Sequence, residues 1–515
     1  MNHQFSRLFA AQPYNLRGHL ITVEIDLSDG LHNFTVVGLP DKAVEEARDR
    51  VNAAIKHAGF PPPKSNNRKI VVSLAPAEIK KEGSFFDIAI ALGYLRSIGE
   101  IVFDPSDKVF LGELALNGEV KPIRGVLPLV QAAKSAGMSE IYVPEGNREE
   151  AALVEGITIY GVSHLKDLTQ HIHETEEANP HRLTPVTLTK ISPKPSITHD
   201  FKHIKGQQSA KRAMTIAAAG GHNIAMSGPP GTGKTMLARA FASILPTLAR
   251  EQMLEVTGIH SISGNLDDVV ITESPFRSPH HTASYVSIIG GGANPKPGEV
   301  TLAHHGVLFL DEFPEFDKRV LESLRQPLED HVVHISRAKG SATFPARFLL
   351  VAAMNPCPCG NYGAEHKTCM CSGSDLRRYS KKLSGPIVDR IDLFTIVEHI
   401  DYDELHGGES TEGISSDDLR NQVLRARALQ TKRFNTMGSL SEMNRDMNVA
   451  DIDALDISED VRVLLKTSAE KLALSPRAYH RVIKVARTIA DLDDSPEIAQ
   501  EHILEALQYR PKEMY

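Results

Sequence analysis

One stretch restricts the fold of this chain more than any other: HNIAMSGPPGTGKTMLARAFASIL, residues 222–245. Within it, Gly228–Thr235 reads GPPGTGKT and fits G-x-x-x-x-G-K-[ST], with a short apolar strand before it and an amphipathic helix after it. A loop of this kind passes from a strand end to a helix start, so it demands an α/β core with a parallel sheet. Gly228, Gly231 and Gly233 let backbone N–H groups turn inward around phosphates with no Cβ in the way, and Pro229, Pro230 and Thr232 complete the loop. Lys234 is placed to neutralise the β and γ phosphates, and Thr235 to offer its hydroxyl to Mg²⁺. ATP and Mg²⁺ are therefore the expected cofactors.

Further elements follow in order. GVLFLDEF carries four apolar residues, Val307 to Leu310, that read as a buried parallel strand. Asp311 at its end is expected to hold Mg²⁺, and Glu312 to act as general base on the attacking water. RFLLVAAMNP is a second buried strand ending in Asn355, which would orient that water from the same sheet edge. In SGPIVDRIDLFTIV, Arg390 reads either as a surface ion pair or as a finger reaching a neighbouring subunit's γ-phosphate. In LSPRAYHRVIKVART, Arg477, Arg481 and Lys484 share one helix face opposite Val482, Ile483, Val485 and Ala486. Arg477, at the start of that helix, would reach back to the nucleotide.

At 515 residues the chain exceeds one compact core. The readings are an α+β domain over 1–172, a proline-rich linker over 173–197, the phosphate-loop core over 198–402, an acidic glycine-containing joint over 403–420 and a helical domain over 421–515. In the first domain, Val44, Val51, Ala54 and Ile55 recur at helical spacing. In the last, Ser475-Pro476 and Ser495-Pro496 each read as a capping serine before a proline at the first helical position. No apolar run is long enough for a membrane span and no signal peptide is recognisable, so a cytoplasmic protein with no membrane partner is expected. The net charge of −8 excludes a uniformly basic surface but not a local basic stripe that binds nucleic acid.

The order of phosphate loop, LFLDE, strand-Asn, DR before a strand and S-P-R in a helical lid resembles an AAA+ ATPase. The wording FRSPHHTAS…GGGANPKPGEVTLAHHGVLFLDEFPEF narrows the likeness to the magnesium-chelatase-like branch. With its N-terminal domain, the whole chain resembles the family of competence protein ComM, also called YifB. The resemblance implies that Arg390 is a finger acting in trans, Arg477 a second sensor, and the assembly a ring, usually a hexamer. It also implies an insertion before the LFLDE strand, fitted by Gly258 to Gly306, and a β-hairpin before the Asn355 strand. EDHVVHISRAKGSATFPARF has the alternation of such a hairpin, with Arg337 and Lys339 at its tip; they read either as DNA-binding residues or as solvated charges. The partners implied are DNA, single-stranded and branched, and further copies of the chain.

The phrases APAEIKKEGSFFDIAIALG and LGELALNGEVKPIRGVLPLVQAAKSAG resemble the protease domain of Lon and the similar domain of RadA-type recombination proteins. The likeness places the nucleophile position on Phe85, with Ser84 one place early, and the lysine position on Leu127. A serine without its lysine is not activated, so the domain reads as a scaffold for oligomerisation or DNA.

All four cysteines, Cys357, Cys359, Cys369 and Cys371, lie just after Asn355, with His366 between the pairs. Four thiolates satisfy tetrahedral Zn²⁺ and would give folding energy to a loop poor in apolar residues. Structural zinc, reduced free thiols and redox chemistry are the three readings of the cluster. The leading function is an ATP-driven DNA helicase and branch-migration motor in recombination during natural transformation. The alternatives are a chelatase-type motor acting on a protein or porphyrin client, a Lon-like ATP-dependent protease, and a DNA-binding ring in which ATP is only a ligand.

Overall fold

The computed structural model describes residues 4–65, 67–173, 182–186, 199–266, 268–292, 295–337, 340–363, 367–400 and 413–511. Most of the linker over 173–197 and the first part of the joint over 403–420 lie outside them, as do Lys339 and His366. The chain forms two compact units: Met1–Ser192 with Met253–Ile271, and Pro193–Gln252 with Thr272–Tyr515.

The first unit is built on a seven-stranded mixed sheet. Its strands are β1 (Phe5–Tyr14), β2 (Arg17–Asp29), β3 (Asn33–Val37), β4 (Arg68–Ala75), β5 (Lys108–Phe110), β6 (Glu140–Pro144) and β7 (Thr158–Val162), in the order β3-β4-β2-β1-β5-β6-β7. Alternate residues of β1 and β2 are buried, so one face packs inward as period-2 patterning requires. The Lys42–His57 helix starts at Asp41, whose side chain accepts from Val44 N at 2.9 Å, and it buries Val44, Ala47, Val51, Ala54 and Ile55. Those are the positions the helical spacing predicted, plus one alanine.

Residues 253–271 complete this unit although they follow the phosphate loop in sequence. Leu254 and Val270 pack against its core. Ser261 on the Arg250–Ser263 helix donates to a Glu150 oxygen at 2.5 Å and accepts from Gly125 N at 2.9 Å. Leu127 N donates to the same Glu150 oxygen at 2.9 Å. Burial pushes the Glu150 carboxyl above the usual range despite these donors.

The second unit holds a five-stranded sheet of β8 (Ile224–Ser227), β9 (Phe276–Arg277), β10 (Val307–Leu310), β13 (Leu349–Met354) and β14 (Leu393–Ile396), ordered β9-β10-β13-β8-β14 with every neighbour parallel. Between β10 and β13 lies an antiparallel hairpin of β11 (Val332–Arg337) and β12 (Gly340–Pro345). Every residue of β10 and β13 is buried, as a sheet covered on both faces requires. Asn223 sets the register at the start of β8. Its N–H donates to Asp392, its side-chain amide to Arg390 O, and its side-chain oxygen accepts from Leu350 N.

The C-terminal part is helical: Ser416–Met437, Glu459–Lys471, Pro476–Leu492 and Gln500–Gln508. Ser475 caps the third of these, accepting from Ala478 N, with Pro476 in its first turn. The reading of Ser495-Pro496 as a second cap is corrected, because the next helix begins at Gln500. Arg487 donates to the carbonyls of Ser495 and Pro496, holding that pair in the connecting loop. Among the described residues no helix is long and apolar enough to cross a membrane.

Candidate nucleotide site

The parallel register brings three strand ends to one edge. Ser227 pairs with Met354 and Leu310 with Ala352, so Gly228, Asp311 and Asn355 follow at that edge. Gly228 passes so close to β14 that an added Cβ would stand 2.2 Å from Val397 O. Its N–H donates to Met354 O at 3.2 Å. Gly231 and Gly233 take φ of +82° and +88°, a region only glycine occupies without cost.

Lys234 opens the Lys234–Ser243 helix and is only 8% exposed. Its ammonium donates to Gly228 O at 2.6 Å, Pro229 O at 2.8 Å and the Asn355 side-chain oxygen at 3.2 Å. Burial pushes its pKa down, and the Asp311 charge opposes that shift. Thr235 donates its hydroxyl to Asp311 at 3.0 Å, which puts the two expected Mg²⁺ ligands in contact. The Asp311 carboxylate also accepts from Glu312 N at 2.9 Å.

Glu312 has a left-handed backbone, φ +53°, and a half-exposed side chain. His281 Nδ1 lies 2.8 Å from its carboxylate. The His281 ring packs against His280 at 4.2 Å between centroids, tilted by 33°, and Phe316 meets it edge-on at 6.5 Å. Sequence reasoning passed over this histidine; the signal available was the paired histidines of SPHHT.

Arg390 and Arg477 are not among the contacts of the phosphate loop. They converge instead on one carboxylate, Glu329. Arg390 is 8% exposed and also donates to Arg325 O at 3.0 Å and Pro386 O at 2.6 Å. These two arginines line a cleft of about 540 Å³ with Arg347, Arg445, Arg481 and Lys484. The hairpin expected around RAKGS is present as β11 and β12, with Arg337 paired opposite Gly340.

The cysteines gather beside the nucleotide edge. Their sulfurs all lie within 4.8 Å of one another. Backbone N–H groups of Asn361 and Met370 donate to Cys359 and hold its thiol down at about 6. Few apolar side chains hold this loop: Tyr362 and Met370 are exposed, and Cys357 alone of the four thiols is buried. Ordering its backbone costs about 1–2 kcal/mol per residue, so something other than burial must offset it.

In the first unit, Ser84 donates its hydroxyl to Glu113. Leu127 is fully buried at the position where a Lon-type site needs a lysine. Lys81 is also buried, and its ammonium is taken by Pro76 O.

Three family descriptions match the chain: magnesium chelatase subunit ChlI over residues 200–405, subunit ChlI of Mg-chelatase over 23–147, and the ChlI C-terminal region over 413–510. Competence protein ComM of Haemophilus influenzae is 41% identical over 508 residues, covering 98% of this chain and 97% of its own. YifB of Escherichia coli K12 is 39% identical over 496 residues, covering 95% of this chain and 94% of its own. The N-terminal region is weakly similar to Lon protease 2 of Thermus thermophilus, 30% identical over 157 residues, 29% of this chain and 19% of that one.

Proposed function

The chain belongs to the ComM/YifB family of magnesium-chelatase-type AAA+ ATPases, and from that premise we propose that it is a ring-forming motor that hydrolyses ATP to move along DNA. In this reading it acts as a helicase and branch-migration enzyme in homologous recombination during natural transformation. The observation that carries the ATP half is the single sheet edge that joins Lys234, Asn355, Thr235 and Asp311 through hydrogen bonds.

In the proposed cycle, loop N–H groups and Lys234 hold the β and γ phosphates. Thr235 and Asp311 hold Mg²⁺, which when bound neutralises charge developing on the phosphate oxygens. Asn355 would orient the attacking water, and Glu312 would take its proton as the water oxygen bonds to the γ-phosphorus and the bond to the departing ADP breaks. Arg390 would act as the finger on a neighbouring subunit's nucleotide and Arg477 as the second sensor, each released from Glu329, the partner they share in this structure. The four thiols enter this reading as a structural zinc site, because their sulfurs are gathered without a disulfide.

The DNA half rests on family membership and on the β11–β12 hairpin, whose tip carries Arg337 and Lys339 in sequence. Proteolysis is disfavoured because the Ser84 hydroxyl is engaged by a carboxylate, not an amine.

The test is a synthetic mobile Holliday junction and a forked duplex, each with ATP, run beside Lys234→Ala. Strand exchange or unwinding by the normal chain and none by the variant supports the motor. ATPase activity without DNA stimulation or junction movement would overturn the DNA half and direct attention to a chelatase-type client.

A further inference from the structure

We propose that the four cysteines bind one Zn²⁺ ion that clamps the turn after β13 onto the phosphate loop, so that nucleotide affinity depends on the metal. This rests on the reading of Gly228–Thr235 as the nucleotide site.

The sulfur positions are the first observation. Cys357 and Cys359 are 3.3 Å apart, Cys357 and Cys369 3.7 Å, and Cys359 and Cys369 3.6 Å. Four thiolates about 2.3 Å from a tetrahedral zinc ion stand about 3.8 Å from one another. The spacings of 3.3–3.7 Å suit that geometry and are far longer than the roughly 2.05 Å of a disulfide. Tyr362 N–H donates to the Cys357 sulfur at 3.3 Å, the type of outer bond that steadies a thiolate ligand.

The second observation is what the cluster touches. Gly360, inside the first cysteine turn, has φ +79° and donates its N–H to Cys357 O at 3.0 Å. A Cβ added there would stand 2.6 Å from Pro230 Cδ in the phosphate loop. The backbone of the cysteine turn therefore lies directly against the loop that cradles phosphate.

Both ends of the cluster also connect, one through the chain and one through Tyr379, to Asn355. It stands two residues before Cys357, and its side chain accepts from Lys234 at 3.2 Å. One residue after Cys371, Ser372 caps the Gly373–Ser380 helix with a reciprocal bond to Asp375. Tyr379 of that helix donates to Asn355 O at 3.1 Å. A metal at the four sulfurs ties the strand end, the turn against Pro230 and the helix carrying Tyr379 into one piece. Without it, that turn has few apolar contacts of its own, and its position against Pro230 is no longer tied to the helix carrying Tyr379.

The experiment uses the full chain, purified without added chelator. Metal content is measured by plasma mass spectrometry, and binding of a fluorescent ATP analogue is measured with Mg²⁺ and without DNA. The expected result is one zinc per chain. Stripping the zinc with a chelator and restoring Mg²⁺ should weaken nucleotide binding at least tenfold, and Zn²⁺ should restore it. Gly360→Ala separates the clamp from the metal: it should keep its zinc yet bind nucleotide at least tenfold more weakly. Absence of zinc after reconstitution, or nucleotide affinity unchanged both on stripping and in Gly360→Ala, overturns the proposal. Lys234→Ala should keep its zinc and lose nucleotide binding. If instead the normal zinc-loaded chain binds no nucleotide, the underlying site reading has failed and not the clamp. Neither outcome depends on whether the chain moves DNA.

Discussion

Glu312 meets His281 from a left-handed backbone. A non-glycine residue at φ +53° costs about 1–3 kcal/mol unless its surroundings hold it there. If Glu312 is the general base as proposed, the contact from His281 at 2.8 Å would aim its carboxylate and fix which oxygen is left to take a proton. His281→Ala is expected to lower kcat about tenfold, equal to about 1.4 kcal/mol of transition-state stabilisation, with KM little changed. Glu312→Gln should cost far more, about 10²–10⁴-fold. A raised KM with unchanged kcat in His281→Ala would place the histidine in binding instead. Glu150 gives a residue-scale prediction of a different kind. Its carboxyl is raised above the ordinary value of 4.5, so the folded chain holds that proton longer than the unfolded chain does. Stability contributed at this site therefore falls as pH climbs from about 4.5 toward the raised native value. Glu150→Gln should flatten that part of a plot of denaturation midpoint against pH; an unchanged plot would mean that Glu150 stays ionised in the fold.

At the scale of elements, the hairpin is the part whose function is least constrained by its own geometry. If Arg337 and Lys339 each neutralise one phosphate of single-stranded DNA, replacing both with alanine should reduce the slope of log affinity against log salt by about 1.4. Equal slopes in the two proteins would remove the hairpin tip from the DNA path. The elements that could be read from residue order are those whose signal is consecutive. GPPGTGKT, VLFLDE and LLVAAMN each place their chemistry at the end of a continuous apolar run, so strand type and edge position follow together. The Lys42–His57 helix and the Ser475-Pro476 cap were legible for the same reason. Ser495-Pro496 carries the same local signal, but Arg487 captures its carbonyls from the preceding helix, and a local pattern cannot register that. The His281–Glu312 bond, the contact of Gly360 with Pro230 and the sharing of Glu329 join residues far apart in sequence, and only the fold brings them together.

At the scale of the whole molecule, Arg390 and Arg477 pose the sharpest question. Arg390 is satisfied within its own chain, by two carbonyls and Glu329, so a role at a neighbour's nucleotide requires it to give up those bonds. Mixing inactive Lys234→Ala with inactive Arg390→Ala decides the matter. Recovery of ATPase activity is expected if the chain assembles as proposed, because a mixed ring would then pair an intact phosphate loop with an intact arginine at some of its junctions. No recovery would assign Arg390 to its own subunit's structure. The segment Met253–Ile271 bears on how such a molecule is made. Because it belongs to the first compact unit, that unit is not complete when the ribosome has finished Ser192. It must wait while the phosphate loop and its helix are synthesised, several seconds at roughly 5–20 residues per second. During that interval Glu150 has no Ser261 to accept from, and the core surface that Leu254 and Val270 will cover stays open to whatever else is nearby. The order of synthesis thus gives the newborn chain a period of exposure that the finished one never shows.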